Sequence, residues 1–373
     1  MIALALTGSI LLASAALVIA LWLIGFPALS PPTSGLSLTV LLDLVKISFG
    51  VTAGAGAVIA VIVAYRRQKV VEAAELRAEA TEQREVTKLF NERYSSAGEM
   101  LGHDSPAVRL AAIQALAALA DDAPTHQLRQ MVIDVLCAYL RMPQWTSETK
   151  DIPQADRIFI EGHREVRHAI IRAIASRLQE GTAVSWKGHD LDLTRVVFDG
   201  GDFSGAVFSA RSINFSGAMF TAGRTSFARA RFASGNVGFN QAKFSGGEVE
   251  FTGAEFEDCN LWFHGASFEG AKVYFNGAKF RGGITYFNFA RFISGSVNFQ
   301  WAELSGGVID FHFAEFQGSS ITLDDAKFMG AKVTFLGAKD WSTPPSFPKH
   351  GTVGLILPKG FPDSSSDLKE GSG

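Results

Sequence analysis

Phe251-Thr-Gly-Ala-Glu-Phe-Glu-Asp-Cys-Asn-Leu-Trp262 runs directly into Phe263-His-Gly-Ala-Ser-Phe-Glu-Gly-Ala-Lys-Val-Tyr274. Both are copies of a twelve-residue pattern, Phe-x-x-Ala-x-Phe-x-x-small-x-Val-x, that repeats eleven times across residues 215–340 without an insertion. The alanine column is unbroken from Ala218 to Ala338. A repeat this strict builds a solenoid, because one unit cannot bury its apolar residues alone and must stack on its neighbours. The first position is Phe except at Leu323, and the sixth is Phe except at Leu304 and Asp340. The ninth is always small, as in Gly247, Cys259 and Ala271, and the eleventh is Val, Ile, Leu or Thr. Inward residues at positions 1, 4, 6, 9 and 11 are separated by steps of two and three. A step of two is extended strand with alternate side chains on one face. A step of three turns a corner, and the small ninth residue is expected where the chain bends closely around the core.

The units Ala218-Met-Phe220, Ala254-Glu-Phe256 and Ala266-Ser-Phe268, with Phe198, Phe203 and Phe208 at five-residue steps before them, resemble the pentapeptide-repeat family. The resemblance spans residues 191–340 and departs from the family by adding two residues to every second unit. It implies a right-handed four-sided β-helix, here with two short and two long sides and therefore about 24 residues per coil.

An independent check on that length comes from the outward position between Ala and Phe. Read at every twenty-fourth residue it gives Arg231, Glu255, Lys279, Glu303 and Lys327, with signs that alternate. Adjacent coils lie about 4.8 Å apart, where opposite charges attract and like charges repel. A coil of 36 residues would stack Lys243 on Lys279 instead.

The chain has 373 residues, is 47% hydrophobic and carries a formal net charge of −3. The apolar excess lies at the start, where residues 2–24 hold no charge and residues 47–65 form a second run long enough to cross a bilayer. Both read as transmembrane helices. Arg66, Arg67 and Lys69 follow the second run, while residues 26–36 between the two carry no charge. By the positive-inside tendency, the expectation is a protein of the inner (cytoplasmic) membrane that crosses it twice, with both termini in the cytoplasm. Gly50 and Gly54 form a GxxxG expected to let a second transmembrane helix approach closely. Asp43 and Lys46, three apart, are expected to pair along one helix face. Cys137 and Cys259 read as buried space-fillers rather than a disulfide framework.

From Val70 the composition turns to Glu, Arg, Ala and Gln, which suits a solvated helix leaving the membrane. Ser105-Pro106 starts a helix with Ser as cap and Pro at its first position, a second begins near Thr125, and a third runs over residues 158–178. The stretch from His103 to Pro143, with the membrane exit Ala64-Tyr-Arg-Arg-Gln68, resembles the segment preceding pentapeptide repeats in many actinobacterial membrane proteins, and it is also similar to a HEAT-type helical pair. Four segments result: a two-span hairpin over residues 1–69, a helical stalk and HEAT-like cap over 70–182, a β-helix over 185–341, and a Pro/Gly/Ser-rich tail over 342–373. The helices are expected to close the open first coil, and the apolar residues 353–357 to cover the last one.

No catalytic, cofactor-binding or metal-binding constellation emerges. His163 and His168 are five apart, the wrong spacing for two ligands on one helix face. The acidic group Glu248, Glu250, Glu255, Glu257 and Asp258 reads as a solvated face. Aromatics at outward positions are more informative. Trp262 and Tyr286 stand 24 residues apart, as do Phe289 and Phe313, which places all four on one side of the coil as a candidate interaction patch. A partner protein or self-association would use it; cover by the helical cap or tail is the competing expectation.

These features point to a membrane-anchored interaction scaffold without catalysis, whose contacts are the lipid bilayer and an unidentified protein or a second copy. The family resemblance implies one alternative, a DNA mimic that protects a topoisomerase. Residues 191–340 hold 15 Asp and Glu against 13 Lys and Arg, a net of −2, so nucleic-acid-like charge and direct nucleic-acid binding are both disfavoured.

Overall fold

A computed structural model describes residues 38–143, 153–359 and 361, together with eight residues within 2–24. The chain divides into two units, Met1–Val86 and Thr87–Gly373.

In the first unit, the helix that begins at Leu38 and is continuous to Leu101 is, among the described residues, the one long and apolar enough to cross a membrane. Most of the first expected span, residues 2–24, lies outside the described residues; Thr7, Gly8, Leu11, Ser14, Ala15, Val18, Ile19 and Trp22 are helical. Asp43 and Lys46 pair at 3.3 Å, as their spacing predicts.

The second unit starts with the end of the same helix, whose Phe90, Ala97 and Leu101 are buried. Three cap helices follow, Pro106–Asp121, His126–Arg141 and Gln154–Arg177. Thr125 caps the second, accepting from the Leu128 amide at 3.2 Å. Ser105 stands at the N-cap of the first, but its hydroxyl makes no cap bond; its carbonyl instead accepts from Val108 and Arg109. The third helix starts at Gln154, after Pro153, four residues earlier than its apolar periodicity suggests, because Gln154 and Arg157 of its first turn are polar and exposed. The segment expected as the loop before it lies mostly outside the described residues.

The rest is a parallel β-solenoid of about seven coils, with about 24 residues per turn. The register supports that length directly: Arg231 pairs Glu255, Glu255 pairs Lys279, Lys279 pairs Glu303 and Glu303 pairs Lys327. Lys279 reaches Glu255 at 2.9 Å and Lys327 reaches Glu303 at 3.4 Å, contacts worth about 0.2–1 kcal/mol each at such exposure. The two end coils are shorter. Leu191 pairs Ile213 and Val333 pairs Leu355, both 22 residues on. At the start the cause is the five-residue rhythm of Phe198, Phe203 and Phe208, which lacks one two-residue extension.

The core is a set of phenylalanine columns. Phe239 stacks on Phe263 at 4.9 Å and Phe263 on Phe287 at 4.7 Å between ring centroids, the spacing of the coils themselves. Each buried ring contributes roughly 1.5–3 kcal/mol before the entropy of ordering the chain is subtracted. First, fourth and eleventh positions are buried from Phe215 to Phe335 apart from the partly covered Ala338, and so is the sixth except at the terminal Phe328 and Asp340. The ninth position departs from the expectation. Cys259, Ala271, Ser319 and Ala331 are buried there, but the glycines are not. Gly235 has φ +82°, and a Cβ on it would stand 2.3 Å from the Ala210 carbonyl oxygen. Glycine is used at that corner for close approach of the backbone to the coil beneath.

Both ends are closed. The second and third cap helices lie on the first coil, where Arg167 donates to the Leu140 and Val197 carbonyls at 2.7 and 2.9 Å, Arg164 and His168 hold Asp199, and Arg141 pairs with Asp192. At the other end the tail adds strand Leu355–Ile356 to the ladder, and Trp341 stacks on Phe316 at 5.0 Å.

Candidate interaction face

One side of the solenoid is built from strands Ser212–Asn214, Asn236–Gly238, Asn260–Trp262, Ile284–Tyr286, Val308–Asp310 and Lys332–Thr334, paired without a register shift. Alternation sends Ile213, Val237, Leu261, Thr285 and Ile309 into the core. The neighbours of each point outward. Trp262 and Tyr286 are such neighbours, and their rings stack at 4.1 Å and 16°.

Three residues after Tyr286 the chain turns, and this turn sets Phe289. Every half-coil from Arg195 to Gly337 has a left-handed residue at its third position. Gly217, Gly265 and Gly337 fill that place in the same column, whereas Phe289 and Phe313 hold φ +56°. A left-handed conformation costs a side-chain-bearing residue roughly 1–2 kcal/mol. Two bulky rings in that conformation are local outliers. They stack on each other at 5.1 Å and remain 52% and 42% exposed. The Phe313 ring lies over Gly337, where a Cβ would come within 2.8 Å of it. His264 meets the edge of Phe289 at 5.4 Å. Beside them Asp310 accepts from Asn288 at 2.9 Å and pairs with His312 Nδ1 at 2.9 Å, a polar margin to the ring cluster.

The four aromatics expected to share a side therefore form two stacked pairs at one corner. Trp301, 58% exposed, has the same strained turn but stands in the column of Gly277 and Asp325, half a coil away. The gap in charge around the patch was not among the expectations. Between residues 212 and 308 the outward strand positions of this side, Asn236, Asn260, Ile284 and Val308 among them, include no Asp, Glu, Lys or Arg. Each of the other three sides carries charges, such as Arg224 and Glu248, Lys243 and Arg291, or the Arg231–Lys327 column. Reading positions ten and twelve at 24-residue steps reveals the gap from sequence.

The four glutamates of the acidic group, His163 and His168 are engaged in structural contacts. Glu248 pairs with Lys272, Glu250 with Arg224, Glu255 with Lys279, and Glu257 with Arg231 and Arg281, so the four glutamates of the acidic group divide between two sides as ion pairs. His163 contacts Arg109 at 3.3 Å and His168 reaches Asp199 at 2.9 Å, so the two point to different partners. Burial, reinforced by Arg109 and Arg167, pushes His163 below its ordinary range. Burial alone would raise Asp199, but His168 and Arg164 hold it below the usual carboxylate range. Both thiols are buried and pushed up to about 12, chiefly by burial, which leaves them unreactive. Among the described residues no group of three His, Cys, Asp or Glu is placed to hold a metal ion. A cleft of about 350 Å³ between the third cap helix and the first coils has Arg224 on its wall, but that side chain is already committed to Glu250.

The contact that sequence reasoning missed is a knot at the start of the solenoid. Trp186 is fully buried and donates Nε1 to Asp121 at 2.9 Å, while Arg177 clasps the same carboxylate at 2.7–2.9 Å and lies over the indole. A lone Trp between the last helix and the first repeat is the signal that marks it.

No family model, curated protein or solved structure matches this chain. The fold is compatible with a pentapeptide-repeat solenoid on its coil length and side count.

Proposed function

We propose that this chain is a membrane-anchored scaffold of the pentapeptide-repeat type, held at the inner membrane by two N-terminal spans and presenting its β-helix in the cytoplasm as a protein-binding surface. The observation that carries this reading is the Trp262 side: two stacked aromatic pairs, half-buried Trp262 and Tyr286 on the sheet and exposed Phe289 and Phe313 at the turn, beside outward strand positions that carry no charge between residues 212 and 308. Interface cores are depleted of charge and enriched in Trp, Tyr and Phe, while isolated soluble surfaces seldom keep such a patch. A stacked Phe ladder beneath makes the face rigid, so a partner meets it with little ordering cost. The topoisomerase-protecting alternative needs a strongly acidic surface, and here Glu248, Glu250, Glu255 and Glu257 of the central coils are paired with bases.

The test is crosslinking in native membranes of the wild type and of a variant with Trp262, Tyr286, Phe289 and Phe313 all replaced by Ser. Selective loss of a captured protein in a variant with an unchanged circular dichroism melt supports the reading. An identical set of captured proteins would remove the patch from the function.

A further inference from the structure

We propose that the helical cap binds a free oxyanion of the phosphate class on the buried fork of Arg109, between the start of the first cap helix and the third. The site belongs to the cap alone and is independent of the Trp262 side.

The other arginines at least half-buried in the cap are given oxygen acceptors. Arg177 clasps Asp121, Arg141 pairs with Asp192, Arg129 donates to the Ala120 and Asp121 carbonyls, and Arg167 donates to those of Leu140 and Val197. Arg109 is 7% exposed, and among the described residues its one hydrogen bond runs from Nη1 to His163 Nε2 at 3.3 Å. Its Nε and Nη2 are both buried without a partner. Those two atoms share one edge of the guanidinium, the side-on fork that offers two parallel donors to a carboxylate or phosphate. A buried cation without a counter-charge is costly, and an anion on this edge removes the cost.

The surroundings select the ligand. Arginine only donates, so His163 accepts at Nε2 and is neutral, with its proton on Nδ1. Burial, Arg109 and Arg167 hold it in that state, and burial pushes Tyr139 up against the pull of the same two arginines. Asp199 bears on Arg167 but is already held by Arg164 and His168. Two guanidinium charges against one committed carboxylate favour an anion with more than one negative charge. The helix adds to this field. His163 follows Gly162, where a Cβ would stand 2.5 Å from Pro106 Cγ, so the Arg109–His163 contact forms beside the opening turn of a sixteen-residue helix. Long helical side chains lean toward that end, whose dipole favours anions, and the Ser105 hydroxyl makes no cap bond there. Size follows from burial. The way in passes half-buried His163 and Phe159, 39% exposed, whose rings meet edge-on at 4.3 Å. A free ion reaches such an edge; a phosphate carried on a protein or lipid does not.

The experiment melts the full chain in detergent at pH 7.5 and constant ionic strength, with potassium phosphate replacing potassium chloride. The expected result is a saturable rise in melting temperature, roughly 5 °C at one hundred times the half-saturating concentration. Arg109→Met should abolish that rise, and in chloride alone it should melt no lower than wild type, because it removes an unpaired buried charge. Arg109→Lys keeps the charge without the fork and should raise the half-saturating concentration at least tenfold; it carries the comparison if Arg109→Met does not fold. Arg93→Gln, which breaks an exposed pair with Asp122, should respond as wild type does. Acetate should need at least ten times the concentration of phosphate. If phosphate raises wild type and both Arg109 variants alike, the ion acts by exclusion from the surface and the site is overturned. If phosphate gives no rise in wild type, water or the chain itself satisfies the fork, and the site is again overturned. If acetate saturates before phosphate, the ligand is a carboxylate and the phosphate class is overturned.

Discussion

The two ends of the solenoid are closed by opposite chemistry. At the first coil the cover is helical, and the contacts are directional and polar: Arg167 to two carbonyls, Arg141 to Asp192, Arg164 and His168 to Asp199. At the last coil the cover is one more stretch of strand, sealed by the rings of Trp341 and Phe347 against Phe316 and Phe335. The difference follows from what each cover supplies. A strand continues the ladder and satisfies the exposed backbone itself, so apolar rings complete the seal. A helix spends its backbone hydrogen bonds internally and has to satisfy the strand edge with long side chains.

That contrast can be broken at several points. The largest effect is expected at the centre, which both ends share. Ala278→Leu adds three carbons at a fully buried corner and should cost about 3 kcal/mol or more, lowering protection from hydrogen exchange across all coils. An unchanged melt would refute the inward placement of the alanine column. Next comes Arg167→Met, which strips the donor from the Leu140 and Val197 carbonyls at about 2–3 kcal/mol. Exchange should accelerate at residues 191–214 and stay slow at residues 311–335. Trp341→Ala should do the reverse at about 2 kcal/mol, because the ring is half-buried and loses part of what a fully buried Trp would. If either change loosens both ends equally, the solenoid opens as one unit and the chemistry of its covers does not localise stability.

The smallest effect is a dependence on pH. Burial, followed by His126 and Arg129, holds the buried His189 below its ordinary 6.5, and His163 is lowered in the same direction. A histidine with a depressed folded value contributes stability that is complete above about 6.5 and lost as pH falls from there toward that value, because the unfolded chain takes up protons first. Asp199 is lowered as well, so its contribution persists until pH falls below the ordinary carboxylate range. The helical end should therefore loosen in mild acid before the distal end does. Melting curves from pH 7.5 to 5 on wild type and His189→Asn check this, and the variant should lose most of the drift below pH 6.5.

Most of the fold was legible because a solenoid is a local code. Phe, Ala and Phe at fixed steps specify the core, and the alternating Arg231–Lys327 column specifies the coil length, so one coil predicts the next. The stacking of Trp262 on Tyr286 and of Phe289 on Phe313 was legible for the same reason, since residues 24 apart must stack. What escaped was non-repeating. The buried Trp186 and its near neighbour Arg177 meet Asp121 from more than fifty residues away in sequence, and no periodicity announces them. Ser105 fits the composition of a cap, yet its hydroxyl is not used, because backbone bonds to its carbonyl already organise that turn. The ninth-position glycines match the pattern for a small inward residue but answer to backbone crowding instead.

The 24-residue register of the inner coils also makes the solenoid a ruler. Removing residues 239–262 would join Gly238 to Phe263 at equivalent points of the repeat, leaving every column in phase and both covers untouched. The distance between the two covers can therefore change only in whole steps of about 4.8 Å. A shift of a single residue would turn every inward ring toward water. Gene segments encoding one coil are thus natural units of duplication and loss, and the length of this molecule is quantised by the same stacking that holds it together.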